Sequence, residues 1–316
     1  MKVIYITGCF GFIGSYVTRQ ALEKGWYVRG VDKCTYAARK EQLIKEFFQY
    51  PKFSYEEKDI ADTKSLFDCD YIINTAAETH VGNSIVDSDP FVHSNIKGVH
   101  STLEAIRNFR VEGNKKPILL HFSTDEVYGD IKEGNFTELD VLNPSNPYSA
   151  TKAAADMLIK AWGRTYGINY IIVRPSNNYG IGQYVEKLIP KSVKYLTLNK
   201  KIPIHNGGLP VRTWLHAEDT ASAVIHLISE GVKDEIYNIS SNVHCSNANI
   251  VKKLIENFNG DSDFEKYLDL SYSRVGQDVR YGINDDKLRK TGWNNKKDLN
   301  MELPKIVDYY RNNFIW

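Results

Sequence analysis

Two groups of side chains in this sequence have the types and spacing to do chemistry. The first is Asp125 and Glu126 in "LLHFSTDEVYGD" (residues 119–130), where two carboxylates directly follow an apolar run. Adjacent acids after a strand ordinarily open a solvated helix turn, where they complement the helix dipole. They also suit a reaction in which one carboxylate removes a proton while the other delivers one to a neighbouring atom. The second group lies in "NPYSATKAAADML", where Tyr148 and Lys152 are four residues apart and share a helix face. Alone, such a pair is an ordinary surface contact. A tyrosine with a reference pKa of about 10 is a poor base at neutral pH. A lysine ammonium ~4 Å away would contribute on the order of 4 kcal/mol at an effective dielectric of about 20, roughly three pKa units. Tyr148 could then accept a hydroxyl proton while hydride leaves the same carbon.

The elements that must position these groups begin at the amino terminus. "KVIYITGCFGFIGSYVTRQALEKGWYVRGVD" predicts a strand over Val3–Ile6, glycines at 8, 11 and 14, a helix to about Lys24, and a second strand closing on Asp32. Gly8 permits a tight turn, Gly11 lets backbone approach a pyrophosphate, and Gly14 lets helix pack on strand. Phe12 and Ile13 stand at the helix N-terminus, whose free N–H groups face a phosphate. Asp32, with Lys33 beside it, can accept hydrogen bonds from ribose hydroxyls, which points to NAD; Arg39 and Lys40 keep NADP open. Further strands are expected at Phe53–Glu56, Tyr71–Asn74 and Ile118–Phe122, with helices between. The alternation predicts an α/β fold with a doubly wound parallel Rossmann sheet. Asp59 and Ile60 follow the third strand, where adenine contacts are expected. "NTAAETHVGNSI", which holds Ala76, Ala77, His80 and Ser84, should run along the cofactor towards the substrate. No second metal ligand stands near His80, so it reads as a positioning residue, and no metal site is expected.

The 316 residues are 42% hydrophobic and 25% charged, which suits one large domain or two associated ones. A formal net charge of +1 gives no field for nucleic acid or a membrane surface. The four cysteines lack metal-ligand spacing and read as reduced thiols in a cytoplasmic protein. A strand beginning almost at Met1 leaves no room for a signal peptide, and no apolar run approaches the ~20 residues of a membrane helix.

The motifs together resemble the extended short-chain dehydrogenase/reductase family and, within it, the nucleotide-sugar 4,6-dehydratases of the dTDP-glucose type. "TGCFGFIGS", "DKCTYA", "AAETHVGNSI", "STDEVYGD", "NPYSATKAAAD", "RPSNNYG", "EKLIP", "VRTWLHAED" and "YNI" carry the likeness along nearly the whole chain. Thr-Asp-Glu ahead of Tyr-x-x-x-Lys discriminates, because the related 4-epimerases lack the acid pair. The resemblance implies C4 oxidation, loss of water across C5–C6 and hydride return to C6, with a tightly bound, recycled NAD. Glu126 would be the base for the C5 proton, Asp125 the acid for the C6 hydroxyl, and Thr124 a partner near O4. It further implies a homodimer through helices near Asn95–Phe109 and Tyr148–Tyr166, paired as a four-helix bundle. A 4-epimerase and a non-catalytic cofactor-binding regulator are the rival readings.

The carboxyl half is expected to divide. Residues 1–174 and 213–241 would form the NAD-binding domain, and 175–212 and 242–316 a smaller α+β lobe over the sheet's carboxyl edge. By resemblance, Asn177, Glu186, Lys187, Arg212, Asn247 and Arg274 face the nucleotide end of the substrate, with His80 and Ser84 nearer the sugar. Several positions depart from the family pattern. Cys9 and Phe10 stand where the phosphate loop is usually smaller, and Thr213 where an acid is common. Ser273-Arg274-Val275 replaces a typical Asp-Arg-Pro. Gly82-Asn83 replaces a larger charged pair, which would leave room for a 2-acetamido group. UDP-N-acetylglucosamine, UDP-glucose and dTDP-glucose all remain open as substrates, as does epimerisation at C5.

Overall fold

The structure is a computed structural model that describes residues 1–109, 115–273 and 278–313. Its strands in chain order are β1 (Val3–Thr7), β2 (Tyr27–Asp32), β3 (Phe53–Glu57), β4 (Tyr71–Asn74), β5 (Ile118–Phe122), β6 (Tyr170–Pro175), β7 (Asn177–Tyr179), β8 (Ile202–Pro203), β9 (Val211–His216), β10 (Glu235–Ile239), β11 (His244–Ser246) and β12 (Leu268–Asp269). "YIIN" and "ILLHF" are nearly continuous apolar runs because their strands are covered on both faces. Seven strands form one sheet in the order β10-β6-β5-β4-β1-β2-β3, every pair parallel. This is the doubly wound Rossmann sheet the sequence predicts. The strand order reverses between β1 and β4, and the crevice outside the carboxyl ends at such a switch point is where ligands bind.

One core layer joins Ile4, Ile6, Val28, Ile73 and Leu120 to the Phe12–Glu23 and Ala217–Ser229 helices. The opposite layer joins Tyr5, Ile72 and Leu119 to the Gly98–Arg107 and Pro147–Tyr166 helices. Asn146 caps the Pro147–Tyr166 helix in a reciprocal capping box with Ser149, and Pro147 occupies its first turn. That cap fixes where Tyr148 starts its turn. The helix expected over Asn95–Phe109 begins earlier, as a π-helical stretch over Val92–Lys97, before turning α over Gly98–Arg107. β7, β9 and β11 form a second, three-stranded sheet, and β8 and β12 a third. Helices Leu188–Thr197, Asn247–Asn259 and Leu299–Asn312 share a separate core with β7 and β9, around Ile189, Trp214, Leu254 and Ile306. This is the smaller α+β lobe.

Candidate active site

The groove at the switch point is lined by the carboxyl ends of the first four strands. Gly8, Gly11, Phe12, Ile13 and Gly14 follow β1; Asp32 and Lys33 end β2; Asp59 and Ile60 follow β3; Ala76 and Ala77 follow β4. Gly8 has φ +72°, and a Cβ there would lie 2.8 Å from the Ala76 amide nitrogen. A Cβ on Gly14 would lie 2.0 Å from the Gly8 carbonyl oxygen, so the loop closes only with glycine at both positions. Asp32 accepts backbone N–H bonds from Phe10 (2.9 Å) and Cys34 (2.8 Å), while burial pushes its carboxyl up. Lys33 reaches Asp59 at 3.3 Å and Ser94 at 2.8 Å across the groove.

Cys9 and Phe10 do not crowd this loop. The Cys9 sulfur packs where a Cβ on Gly30 would stand, 2.7 Å away, and the Phe10 ring packs on Phe47 and Tyr55 in the core. Arg39 and Lys40 are held by the protein itself. Arg39 donates to Ser15 at 2.9 Å and lies tight under Gly182, and Lys40 pairs with Glu57. The Arg39 guanidinium is turned into the protein, and the Lys40 ammonium is paired at the surface.

The carboxylate pair is a 3-10 turn, Asp125–Tyr128, capped by the Thr124 hydroxyl, which accepts from the Glu126 amide at 3.4 Å. The two acids meet different surroundings. Asp125 is 3% exposed, its Oδ1 accepts from the Thr124 hydroxyl at 3.2 Å, and its Oδ2 is buried without a partner. Burial, and then the neighbouring Glu126 carboxylate, push Asp125 up to about 7. Glu126 is half-buried and accepts on Oε2 from Asn146 Nδ2 (3.3 Å) and the Tyr281 hydroxyl (3.2 Å). An acid that holds its proton therefore adjoins a hydrogen-bonded carboxylate.

Tyr148 is buried, and its ring packs edge-on to Phe91. Burial, with Glu126 and Asp125 adding to it and a Thr124 hydrogen bond opposing, pushes its hydroxyl up. Lys152, whose ammonium was expected to lower Tyr148, is hydrogen-bonded to a different neighbour. It meets His121 Nε2 at 3.3 Å instead, and burial brings it down to about 8. His121 is itself fully buried, held well below the usual histidine range by burial and by Lys152. Its Nδ1 lies 3.1 Å from Asn74 Nδ2, and Asn74 Oδ1 accepts from Thr7 at 2.6 Å. A polar row thus runs through the sheet interior from Lys152 to the strand that feeds the glycine loop. Beneath it, the Arg174–Asp156 ion pair at 3.0 Å is almost wholly buried and ties the same helix to β6.

The residues expected at the substrate do not share one place. Ser84 is buried, and its hydroxyl donates to Val81 O (2.7 Å) while accepting from the Tyr148 amide (3.2 Å), so it braces the Tyr148 helix from within. His80 Nδ1 accepts from the Asn83 amide and caps the short Val81–Val86 helix. Glu186 and Lys187 stand on the cofactor groove, where Glu186 accepts from Tyr36 at 3.1 Å and Lys187 donates to Thr79 O at 3.0 Å. Asn177 opens β7 with its Oδ1 buried and unpartnered. Arg212 on β9 donates to Val211 O and to Asp278 O and stacks on the Tyr281 ring, 4.1 Å from its centroid. Asn247 follows β11 and bonds Pro210 through its backbone. Thr213 is buried and pairs with His244 at 3.0 Å. Arg274 lies outside the described residues.

Sequence reasoning missed Asn95, His121, Gln183, Tyr184, Asp278 and Tyr281. Asn95 joins the Glu78 backbone to Thr151 on the Tyr148 helix. Gln183 and Tyr184 roof the groove from a distant part of the chain. Among the described residues no cluster of His, Cys, Asp and Glu is placed to hold a metal, and no helix is long and apolar enough to cross a membrane.

Comparison with known proteins identifies this arrangement. The model of the GDP-mannose 4,6 dehydratase family matches residues 5–305. The low-salt glycan biosynthesis protein Agl12 of Haloferax volcanii is 36% identical over 97% of this chain and 98% of its own length. The dTDP-glucose 4,6-dehydratase of Neisseria meningitidis serogroup B is 36% identical over 100% of this chain and 95% of its own. Among solved structures, the dTDP-glucose 4,6-dehydratase DesIV of Streptomyces venezuelae, with NAD bound, superposes with a TM-score of 0.91 at 32% identity over 98% of this chain and 97% of that one. UDP-sugar 4-epimerases at 20–24% identity share the fold alone.

Proposed function

This chain belongs to the GDP-mannose 4,6 dehydratase family of extended short-chain dehydrogenase/reductases, and from that premise we propose that it is a hydro-lyase converting an NDP-hexose to the NDP-4-keto-6-deoxyhexose. The observation that carries the reading is the contrast within one dipeptide. Asp125 is buried and proton-holding, while Glu126 is hydrogen-bonded and beside Tyr148. A 4-epimerase has no use for such a pair.

Gly8, Gly11, Phe12, Ile13, Gly14, Asp32, Lys33, Asp59, Ile60, Ala76 and Ala77 line the groove that would hold NAD, which would supply the hydride acceptor at C4 and the donor at C6. The chain's own groups handle the protons. Tyr148 would take the O4 proton as a phenolate, the state that the positive nicotinamide of bound NAD would favour against the burial that pushes its hydroxyl up, with Thr124 hydrogen-bonded to it and Lys152 one helical turn on. The 4-ketone then acidifies C5–H, which Glu126 removes as Asp125 protonates the departing C6 hydroxyl. Glu126 returns its proton to C5 when the 4,6-product forms, and the O4 proton held by Tyr148 replaces the one Asp125 gave up, so the elements lost are those of one water. Delivery to the original or the opposite face decides whether C5 is epimerised.

Arg212, Asn177 and Asn247 are assigned to the nucleotide end, and Glu186 and Lys187 to the seam where substrate and cofactor meet. The division into 1–174 with 213–241 and 175–212 with 242–316 is retained for these roles, and β9 crosses between the two parts. Exposed Val92, Met157 and Tyr166 on the Val92–Lys97 and Pro147–Tyr166 helices support a homodimer through a four-helix bundle. Four free thiols suit a cytoplasmic protein.

The relatives' names favour dTDP-glucose, whereas Gly82-Asn83 favours a 2-acetamido sugar. Incubation with dTDP-glucose, UDP-glucose and UDP-N-acetylglucosamine, read by mass spectrometry, tests the class and the sugar together. Loss of one water from at least one of them is expected. An unchanged mass throughout, with a change of C4 configuration instead, would overturn the dehydratase reading.

A further inference from the structure

Among the described residues, Tyr281 of the carboxyl-terminal lobe reaches the proposed base. Tyr281 is 4% exposed, and its hydroxyl lies 3.2 Å from Glu126 Oε2 and within hydrogen-bond reach of Asp278 Oδ2. A phenol has one hydrogen and cannot donate to both carboxylates at once. Asp278 has a second donor in the Ser145 hydroxyl, so it keeps a hydrogen bond when the phenol turns away. Arg212 stacks on the Tyr281 ring and donates to the Asp278 carbonyl, which fixes the ring while leaving the O–H free to rotate.

We propose that Tyr281 is a positioning residue for Glu126, its hydroxyl hydrogen switching acceptor as Glu126 gains and loses the C5 proton. With Glu126 ionised, the phenol donates to Glu126 Oε2 and Asp278 is served by Ser145. When Glu126 takes the C5 proton, its new O–H donates to the phenol oxygen and the phenol hydrogen turns to Asp278. No proton leaves the set, and each state of the base is hydrogen-bonded. The inference rests on the proposed role of Glu126.

The ionisable groups that face this pair are Asp125 on the same turn, Tyr148 on the adjoining helix, and Arg212 and Asp278 from the smaller lobe. Burial and the Glu126 carboxylate push the Tyr281 hydroxyl up, so it acts as a phenol throughout and not as a phenolate. A neutral rotor that never ionises is the property the switch requires.

The test is Tyr281→Phe in the full-length enzyme with NAD and the nucleotide sugar found to be dehydrated. The ring stack is kept and only the hydroxyl is lost. Ionised Glu126 loses a charge-assisted donor while protonated Glu126 loses only a weaker neutral bond, so the acid limb of the kcat–pH profile should move up by about one unit, a tenfold change in proton affinity. Deuterium wash-in at C5 from heavy water should slow about tenfold, with KM within about twofold of wild type. Asp278→Asn, which leaves the phenol in place, should shift the limb less than Tyr281→Phe does. An unmoved pH limb with wild-type wash-in in Tyr281→Phe would overturn the inference, as would a change confined to KM. Glu126→Gln separates this failure from failure of the underlying reading. If that variant still exchanges C5 at the wild-type rate, Glu126 is not the base; if it does not, the role of Tyr281 stands or falls on its own data.

Discussion

Replacing Asp125 by asparagine should inactivate the enzyme and at the same time stabilise it, by an amount that depends on pH. Asp125 carries a folded-state pKa of about 7 against an ordinary 3.8, chiefly because it is buried. Between those values the folded protein binds more protons than the unfolded chain, so stability falls as pH rises. The penalty is nearly absent below pH 4 and complete above pH 7. Its ceiling follows from a shift of about three units at about 1.4 kcal/mol each, or roughly 4 kcal/mol. Asparagine keeps the shape and cannot ionise, so it escapes the penalty. The variant's advantage over wild type should widen by roughly 2–3 kcal/mol between pH 5 and pH 8, several degrees in thermal midpoint for a chain of this size. The same exchange removes the donor for the C6 hydroxyl, and turnover should fall about 10²- to 10⁴-fold. Paired thermal scans at one heating rate across pH 5–9, with dehydration rates on the same preparations, measure both. An advantage that is flat with pH, or that shrinks as pH rises, would show that Asp125 is ionised in the folded protein. Its assignment as the acid would then be wrong.

Two further substitutions probe the other halves of the site. Tyr148→Phe keeps the packing on Phe91 and should lose about 10²- to 10⁴-fold in turnover with an unchanged thermal midpoint and NAD affinity; undiminished turnover would dismiss Tyr148 as the proton acceptor. Gly14→Ala puts a methyl into the Gly8 carbonyl and should weaken NAD binding at least tenfold by calorimetry, because the phosphate loop must open to admit it; wild-type affinity would mean that the loop relaxes at no cost.

What the sequence made legible is what is local. The glycine loop and its flanking strands lie within thirty residues or so, and Asp125 with Glu126, like Tyr148 with Lys152, are neighbours on one turn or one helix face. What it hid depends on which distant segments meet. The Lys152–His121 contact was one such case, and spacing alone suggested Tyr148 as the partner. A signal was present nevertheless: "VIYIT", "YIIN" and "ILLHF" each carry one polar residue near the carboxyl end of an apolar strand. The parallel register sets Thr7 beside Asn74 and Asn74 beside His121. Buried polar groups need partners, and three at matching depth supply one another. Glu186 and Lys187, reached only through the resemblance, and Tyr281 gave no such sign, because loops from the smaller lobe deliver them to partners 108 to 155 residues away.

The proposed acid and base would be chosen by environment and not by residue type. Successive side chains of a 3-10 turn point about a third of a turn apart, so consecutive acids cannot share one pocket. Asp125 turns inward to a place where its Oδ2 finds no donor, and the cheapest state there keeps a proton. Glu126, one methylene longer, turns towards Asn146 and Tyr281, which both donate to its Oε2. Those donors come from the cap of the Tyr148 helix and from the smaller lobe. The base is therefore set by the same two elements that would place the sugar's C4 hydroxyl and its nucleotide.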